Sequence, residues 1–314
     1  MAAPESECGT SPVLVLGEAL CDLVIDLDGS VTSALGGAPY NTARALGRLG
    51  VPTGFSSPVS TDRFGELLAD SLREAGVDIS EARRTEAPTT LAAATLSAEG
   101  SASYRFYVEG TSVLDVEPVT VSRPVTAVMT GGLAIALPSV TAAIEPVLHL
   151  DVPVFVDVNC RPAMIDDRPA YLERVHRVAS LADVVKVSDE DARWMSGEAG
   201  ERGVELAVES LLTLGARAVV VTAGASPVSV STPTGRAEVP VPAVDIVDTI
   251  GAGDAFDAGM IAHWFRAGAD ARGLGDLDAL LPAVRAGVVV SGAVCARRGA
   301  DPPTVAELPD DLWP

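Results

Sequence analysis

Between residues 127 and 222 the chain repeats one alternation, an apolar run followed by a segment of helical pattern. Residues 127–133, 152–158, 184–187 and 218–222 read as strands, and 140–149, 169–180 and 203–214 as helices. Strands separated in this way lie parallel, with each helix crossing over a face of the sheet. A layered α/β fold follows. In such folds ligands collect beyond the carboxyl ends of the strands, so polar residues at those ends are the first candidates for a site.

The 314 residues suffice for two average domains or one large α/β unit. Aromatic residues make up 4% and hydrophobic residues 48%, so alanine, valine and leucine must fill the core. A net charge of −21 argues against nucleic acid and against an anionic membrane as partners. Lys186 is the only lysine, and it lies in an apolar run rather than after a glycine-rich loop, which excludes a P-loop. The V-A-I-K and H-R-D signatures of protein kinases are absent. Cys8, Cys21, Cys160 and Cys295 form no C-x-x-C pair, and His149, His176 and His263 are scattered. Zinc binding and thiol catalysis gain no support, and free thiols fit a reducing cytosol. MAAPESECGTSP carries neither a basic region nor an apolar core, so no signal peptide is expected. No apolar run of membrane-spanning length is free of charges and breakers.

The densest local signal is Asp248-Thr-Ile250-Gly251-Ala252-Gly253-Asp254-Ala-Phe256. A helical pattern starts there: Phe256, Met260 and Trp264 recur at four-residue spacing, Ile261 and Phe265 flank them, and Gly268 ends the run. Gly251, Ala252 and Gly253 therefore precede a helix N-terminus, where free N–H groups and the helix dipole attract anions. Glycine lets an anion approach the backbone, so this is a phosphate cradle built without lysine. Asp254 stands at its lip, placed to take a proton from a substrate hydroxyl. Aspartate is also a favoured N-cap and glycine an ordinary turn residue, so G-x-G-D alone does not choose between cap and site.

Earlier in the chain, residues 13–17 read as a buried strand, and no G-x-G-x-x-G follows it. Asp22, at the start of a short strand over 23–27, suits sugar hydroxyls or a solvated turn. In Gly36-Gly37-Ala-Pro39-Tyr-Asn41, the glycine pair permits close approach and Pro39 suits the first turn of a helix running to Gly50. The Asn41 amide, in that first turn, can donate and accept toward a polyol or serve as a local cap. Residues 91–96 and 103–108 read as strands around a Glu99-Gly100 turn. They form a small sheet with 19–35, apart from the main layers. Along the second of these strands Arg105 and Tyr107 share one face, and Tyr104 and Phe106 the other. Arg161, in Asp157-Val-Asn159-Cys160-Arg161-Pro162, could clamp phosphate. The acidic residues after Lys186 and Ser188 could open a helix for reasons of the dipole alone. Residues 227–241 read as a hairpin, and 280–296 as a long helix closed by Arg297-Arg298-Gly299.

The nine-residue string closely resembles the D-T-x-G-A-G-D-x-F signature of the ribokinase-like (PfkB) carbohydrate kinases, and every fixed position is met. G-G-A-P-x-N-x-A is similar to that family's N-terminal motif, closest to its fructokinase-like branch. VSTDRFGELL resembles a further family segment, with Ser60 in place of a glycine. D-x-N-x-R-P at 157–162 and T-x-G at Thr222 and Gly224 also match, so the resemblance runs from Gly17 to Gly299. It implies a three-layer α/β/α ribokinase-like core with a mostly parallel sheet, over residues 1–18, 36–87 and 112–314. Residues 19–35 and 88–111 would form a β lid that doubles as a homodimer contact. The implied activity is transfer of the ATP γ-phosphoryl group to a sugar, with Mg2+ and a site for K+. D-fructose leads as acceptor. Ribose, 2-keto-3-deoxygluconate and nucleosides stand as alternatives, as does a non-catalytic sugar-binding relative.

Carried over residue by residue, the resemblance makes Asp254 the general base and the helix N-terminus from Gly251 to Asp254 the anion hole, with the N–H groups of Ala252, Gly253 and Asp254 on the phosphoryl oxygens. Asp22, Gly36, Gly37, Asn41, Arg105, Tyr107 and Arg161 would meet the sugar or its phosphate. Lys186, Ser188, Thr222 and Gly224 would meet the nucleotide. Where the family has N-x-x-E, this chain aligns Ser188 with Asp191, or with Glu190 one register away. Asp191 would reach magnesium through water. Asp248, Ile250, Arg297 and Gly299 would hold the monovalent cation, mostly by backbone carbonyls.

Overall fold

The computed structural model describes residues 11–96, 102–268 and 271–314. The Glu99-Gly100 turn expected from the sequence and Cys8 lie outside these residues, as does the side chain of Tyr104. The first strand is β1 (Val13–Leu16), and the chain then makes two strands of a smaller sheet, β2 (Leu20–Ile25) and β3 (Val31–Gly36). Helix α1 (Ala38–Arg48) returns it to the main sheet at β4 (Thr53–Phe55). Short strands β5 (Val59–Ser60) and β6 (Arg84–Thr85) bracket α2 (Arg63–Glu74), which Asp62 caps by accepting the Gly65 N–H at 2.8 Å. The smaller sheet is completed by β7 (Thr90–Leu96) and β8 (Ala102–Tyr107).

The alternation expected after residue 127 then appears. Strand β9 (Ala127–Gly131) leads through α3 (Leu133–Ala136) and α4 (Pro138–Leu148) to β10 (Val154–Asp157). Helix α5 (Arg168–Ala179) leads to β11 (Val184–Ser188), and α6 (Asp189–Ser196) with α7 (Gly200–Thr213) to β12 (Ala218–Ala223). The edge hairpin β13 (Ser226–Thr232) and β14 (Gly235–Val239) precedes the long helices α8 (Ala252–Arg266) and α9 (Leu277–Cys295).

The main sheet has eight strands in the order β14-β13-β12-β11-β10-β9-β1-β4. From β12 to β4 all pairs are parallel, and only the edge hairpin is antiparallel. Its faces are separate cores. Val13 and Val15 point into a cluster with α1, α8 and α9, while Leu14 and Leu16 point into a second with α3, α4 and α5. The same split runs through β12, where Ala218 and Val220 face one core and Val219 and Val221 the other. A strand covered on both faces has no polar side to show, which is why these runs are continuously apolar. The result is a three-layer α/β/α arrangement.

Helices α8 and α9 pack closely because glycines meet backbone at two points. A methyl group at Gly259 would lie 2.8 Å from the Ala286 carbonyl oxygen, and one at Gly287 as near the Phe256 oxygen. Helix α9 is long and apolar enough to cross a membrane by length and composition, yet it contains Asp278, Pro282 and Arg285 and buries Leu280, Val284, Val290 and Val294 in the core.

The smaller sheet has the order β3-β2-β7-β8. Asp22 lies inside β2, not at the strand junction expected from the sequence, because pairing with both β3 and β7 extends the strand back to Leu20. The helix expected over 203–214 is likewise preceded by a separate one, since Ser188 and Asp191 form a reciprocal capping box that opens α6 directly after β11.

Candidate active site

The polar candidates converge where the carboxyl ends of β10, β11 and β12 meet the N-terminus of α8. An open cleft of about 680 Å3 there is lined by Asp157, Asn159, Arg161, Lys186, Ser188, Glu190, Asp191, Thr222, Gly251, Gly253 and Asp254, among others. Gly224 is not among the lining residues; it takes a positive φ of 56° in the turn between β12 and β13.

Gly251 is the N-cap of α8, with φ of 76°, and no side chain caps the helix. The helix N-terminus differs from expectation at one position. The Ala252 N–H already donates to the Thr249 carbonyl at 3.2 Å, closing the turn, so it is not open to a ligand. Among the described residues the N–H groups of Gly253 and Asp254 have no protein partner, and these carry the positive end of the helix.

The two motifs meet at the lip of this helix. The Asn41 amide, on the first turn of α1, donates to the Asp254 carboxylate at 2.8 Å. The other amide atom, Asn41 Oδ1, is buried with no partner among the described residues. A buried acceptor without a donor is costly unless a ligand supplies one. Asp254 is itself buried, and desolvation pushes its pKa up to about 6, a rise that the Asn41 hydrogen bond restrains.

Asp22, on β2, is not among the lining residues, but it lies within electrostatic reach of Arg161, which is. Burial raises the pKa of Asp22 to about 6 and the Arg161 guanidinium pulls it back. Gly36 has no room for a side chain, because a Cβ would overlap the Asp22 carboxylate. Gly37 has φ of 108°, and its missing Cβ would lie 2.6 Å from the Glu18 carbonyl oxygen. Arg161 turns back on its own loop, donating to Asn159 Oδ1 and to the Cys160 carbonyl at 2.9 Å. Asn159 is the one non-glycine among the described residues with positive φ, 41°, a conformation asparagine tolerates better than most.

Arg105 and Tyr107 are not brought to this cleft. Strand pairing puts Asp22 in register with Ala92, and Ala92 with Phe106, so those three share a face. Phe106 packs against the second core, whereas Arg105 and Tyr107 lie on the opposite face and are exposed, Tyr107 by 52%. Alternation along β8 defines the two pairs, and the register assigns them.

Two residues given no role by sequence reasoning prove central. Glu18, between β1 and β2, is buried and accepts the N–H of Ala38 at 3.2 Å and of Leu133 at 3.1 Å, joining the starts of α1 and α3. Its burial raises its pKa to about 7. Asp257, one turn after Asp254, meets Lys186 inside the core. A glutamate directly after a buried strand and an aspartate in an apolar helix were the available signals.

Asp248 ties the last two predicted segments together. Its carboxylate accepts the Ile250 N–H at 3.1 Å and the Gly299 N–H at 2.8 Å. Arg297 pairs with Glu307 at 2.7 Å and with Asp301 at 3.5 Å. No group of three or more His, Cys, Asp or Glu side chains able to hold a metal occurs among the described residues. Glu190 and Asp191 nevertheless line the cleft. One or two carboxylates suit a hard divalent ion held chiefly by phosphate and water, and do not suit a metal cage.

A helix end open to phosphate, a buried carboxylate beside an unpaired amide oxygen, and a small sheet next to the cleft define the class as a small-molecule phosphotransferase. Residues 11–306 match the pfkB family carbohydrate kinases. A fructokinase of Rhizobium leguminosarum bv. trifolii is 36% identical over 261 residues, covering 80% of this chain and 78% of that protein. The structure of fructokinase with bound ATP from Xylella fastidiosa superposes with a TM-score of 0.84 at 27% identity, covering 94% of this chain and 96% of that one. Fructokinase from Vibrio cholerae O395, in its fructose-, ADP- and calcium-bound form, gives 0.81 at 25% identity, covering 95% and 98%. The chain belongs to the pfkB carbohydrate kinase family and has its ribokinase-like fold.

Proposed function

We propose that the protein is an ATP-dependent fructokinase that phosphorylates a hydroxyl of D-fructose. The observation that carries the sugar-kinase reading is the Asn41–Asp254 pair, in which a carboxylate at an open helix end stands beside an acceptor that lacks a donor. A sugar hydroxyl can donate to either oxygen. Fructose is favoured over ribose, 2-keto-3-deoxygluconate or a nucleoside by the fructokinases among the relatives and by the G-E-x-L-x-D and G-G-A-P-x-N segments.

In this reading Asp22, Gly36, Gly37 and Asn41 orient the sugar. Its hydroxyl oxygen bonds to the γ-phosphorus of ATP as the bond to the β-phosphate oxygen breaks, ADP leaves, and Asp254 takes the hydroxyl proton. The N–H groups of Gly253 and Asp254 hold the transferred phosphoryl oxygens, and Arg161 and Lys186 add positive charge to that side of the cleft. Thr222, Ser188 and the turn at Gly224 border the nucleotide. Magnesium bound with the nucleotide would neutralise the β- and γ-phosphates, with Asp191 and Glu190 reaching it through water. The backbone near Asp248, Ile250, Arg297 and Gly299 offers carbonyls to a potassium ion.

We assign the smaller sheet as a lid that keeps water from the phosphoryl group. Val31 and Tyr107 on that sheet, and Leu27 in the turn between β2 and β3, are exposed large apolar residues, which supports a homodimer formed through it. Size-exclusion chromatography with light scattering tests that assignment, and a monomer at all concentrations removes it. Unpaired cysteines fit a cytoplasmic location.

The test of the function is ADP release from MgATP with D-fructose, ribose, glucose, 2-keto-3-deoxygluconate and adenosine. Turnover with fructose above the others is expected. Turnover with another acceptor overturns the fructose assignment, and sugar binding without ADP release supports a non-catalytic relative instead.

A further inference from the structure

Lys186, the only lysine of the chain, is buried to 5% exposure with its ammonium between two carboxylates. Nζ lies 2.6 Å from Asp157 Oδ2 and 3.3 Å from Asp257 Oδ2. A methyl group at Gly253 would lie 3.3 Å from Nζ, so the ammonium sits against the residue whose N–H opens toward phosphate. Lys186 also lines the cleft. Its strand position explains the direction: Val184 faces the core shared with α8, and Lys186, two residues on, faces the same side.

Asp257 is 2% exposed in an otherwise apolar stretch of α8 and belongs to neither motif. Burial, with Asp157 and Asp254 nearby, pushes its pKa well above the ordinary carboxylate value, and the adjacent Lys186 ammonium, its hydrogen-bond partner, pulls it back. Burial opposes the ammonium, yet Asp157 and Asp257 hold its pKa above the ordinary lysine value. The ammonium is therefore charged and held by two elements, β10 through Asp157 and α8 through Asp257.

We propose that Asp257 is a positioning residue for phosphoryl transfer. It fixes the Lys186 ammonium beneath the first turn of α8, where the charge adds to the anion hole made by Gly253 and Asp254. The inference rests on the kinase reading and extends it to a residue that touches no substrate. The glycine turn supplies backbone donors without a full charge. The ammonium behind it is buried, so its effect on developing phosphoryl charge is screened less than that of an exposed lysine and is offset in part by Asp157 and Asp257.

The test is a cycle of Asp257→Ala, Lys186→Met and the double variant, with kcat, KM for each substrate and thermal midpoints measured on the full chain. Asp257→Ala is expected to lower kcat about tenfold, as for a misplaced rather than deleted charge, with KM for fructose within about twofold. In the Lys186→Met background the same change is expected to cost less than about twofold, because its effect runs through Lys186. Asp257→Asn, which keeps an acceptor oxygen, is expected to recover most of the loss. Equal losses in both backgrounds, or no loss in the first, overturn the proposal.

If Lys186→Met does not fold, calorimetry decides the matter. Asp257→Ala is expected to bind a non-hydrolysable ATP analogue about fivefold more weakly while its affinity for adenosine is unchanged. Equal weakening of both, or of neither, overturns the assignment. A wild-type protein that turns over no sugar removes the kinase reading, and this binding comparison still tests Asp257 separately.

Discussion

Asn41 and Asp254 are separated by 213 residues in sequence and by 2.8 Å between amide nitrogen and carboxylate oxygen. Each stands in the first turn of its own helix, α1 or α8. The bond therefore ties the first turn of α1 to that of α8 through Asp254 Oδ2 and leaves Oδ1 as the carboxylate oxygen that Asn41 does not hold. It also favours the ionised form of Asp254 against the burial that opposes it.

Removal of that donor has a defined sign. Asn41→Ala should raise the pKa of Asp254 above about 6, since the bond being lost is one that lowers it. The acid limb of kcat/KM should then move to higher pH, and kcat/KM at neutral pH should fall about a hundredfold, because sugar orientation is lost and less of Asp254 is ionised. Rate profiles from pH 5 to 8 check this. An unmoved acid limb would mean that Asp254 is not the titrating base.

Gly36 tests the sugar side alone. A methyl group there would overlap the Asp22 carboxylate and push it out of position. Gly36→Ala should raise KM for the sugar at least about tenfold while KM for MgATP changes little, because Asp22 belongs to the smaller sheet and not to the strand ends near α8. A rise in KM for MgATP alone would place the nucleotide, not the sugar, beside Asp22.

Glu18 makes a prediction about stability. Its folded pKa is raised by burial from 4.5 to about 7. The folded state thus binds the proton more tightly than the unfolded chain does. The stability this contributes is complete below about pH 4.5 and is lost as pH rises through about 7, an effect on the order of 3 kcal/mol for the group alone. The melting temperature should fall across that window. Glu18→Gln should flatten the decline and also lower stability at pH 5, since the amide leaves one of the Ala38 and Leu133 N–H groups without its acceptor. An unchanged slope would show that Glu18 ionises as freely as in the unfolded chain.

Much of this architecture was readable in the chain itself, and particular residues show why some was not. The strand–helix alternation after residue 127 and the glycine turn before Phe256 are local patterns, and local patterns survive in sequence. The opposition of Arg105 and Tyr107 to Phe106 along β8 was visible, but which pair faces Asp22 depends on register with β7 and β2, a relation between distant segments. The Ala252 N–H looked open because its acceptor, the Thr249 carbonyl, becomes available only once the turn closes. Lys186 read as a residue near the nucleotide, while its two carboxylate partners come from β10 and α8, 29 residues before it and 71 after. Glu18 directly follows a legible buried strand, but its work is to join two helix ends that only the fold brings together.

The central claim is that Asp254 removes the proton from the acceptor hydroxyl, and Asp254→Asn tests it most directly. ADP release from MgATP with D-fructose should be measured for the wild-type protein and the variant, alongside sugar binding by calorimetry. The account predicts a loss in kcat of about a thousandfold or more, with sugar affinity within about tenfold and no loss of thermal stability, since a buried carboxylate is replaced by a neutral group of its size. Turnover by the variant within about tenfold of the wild type would contradict it.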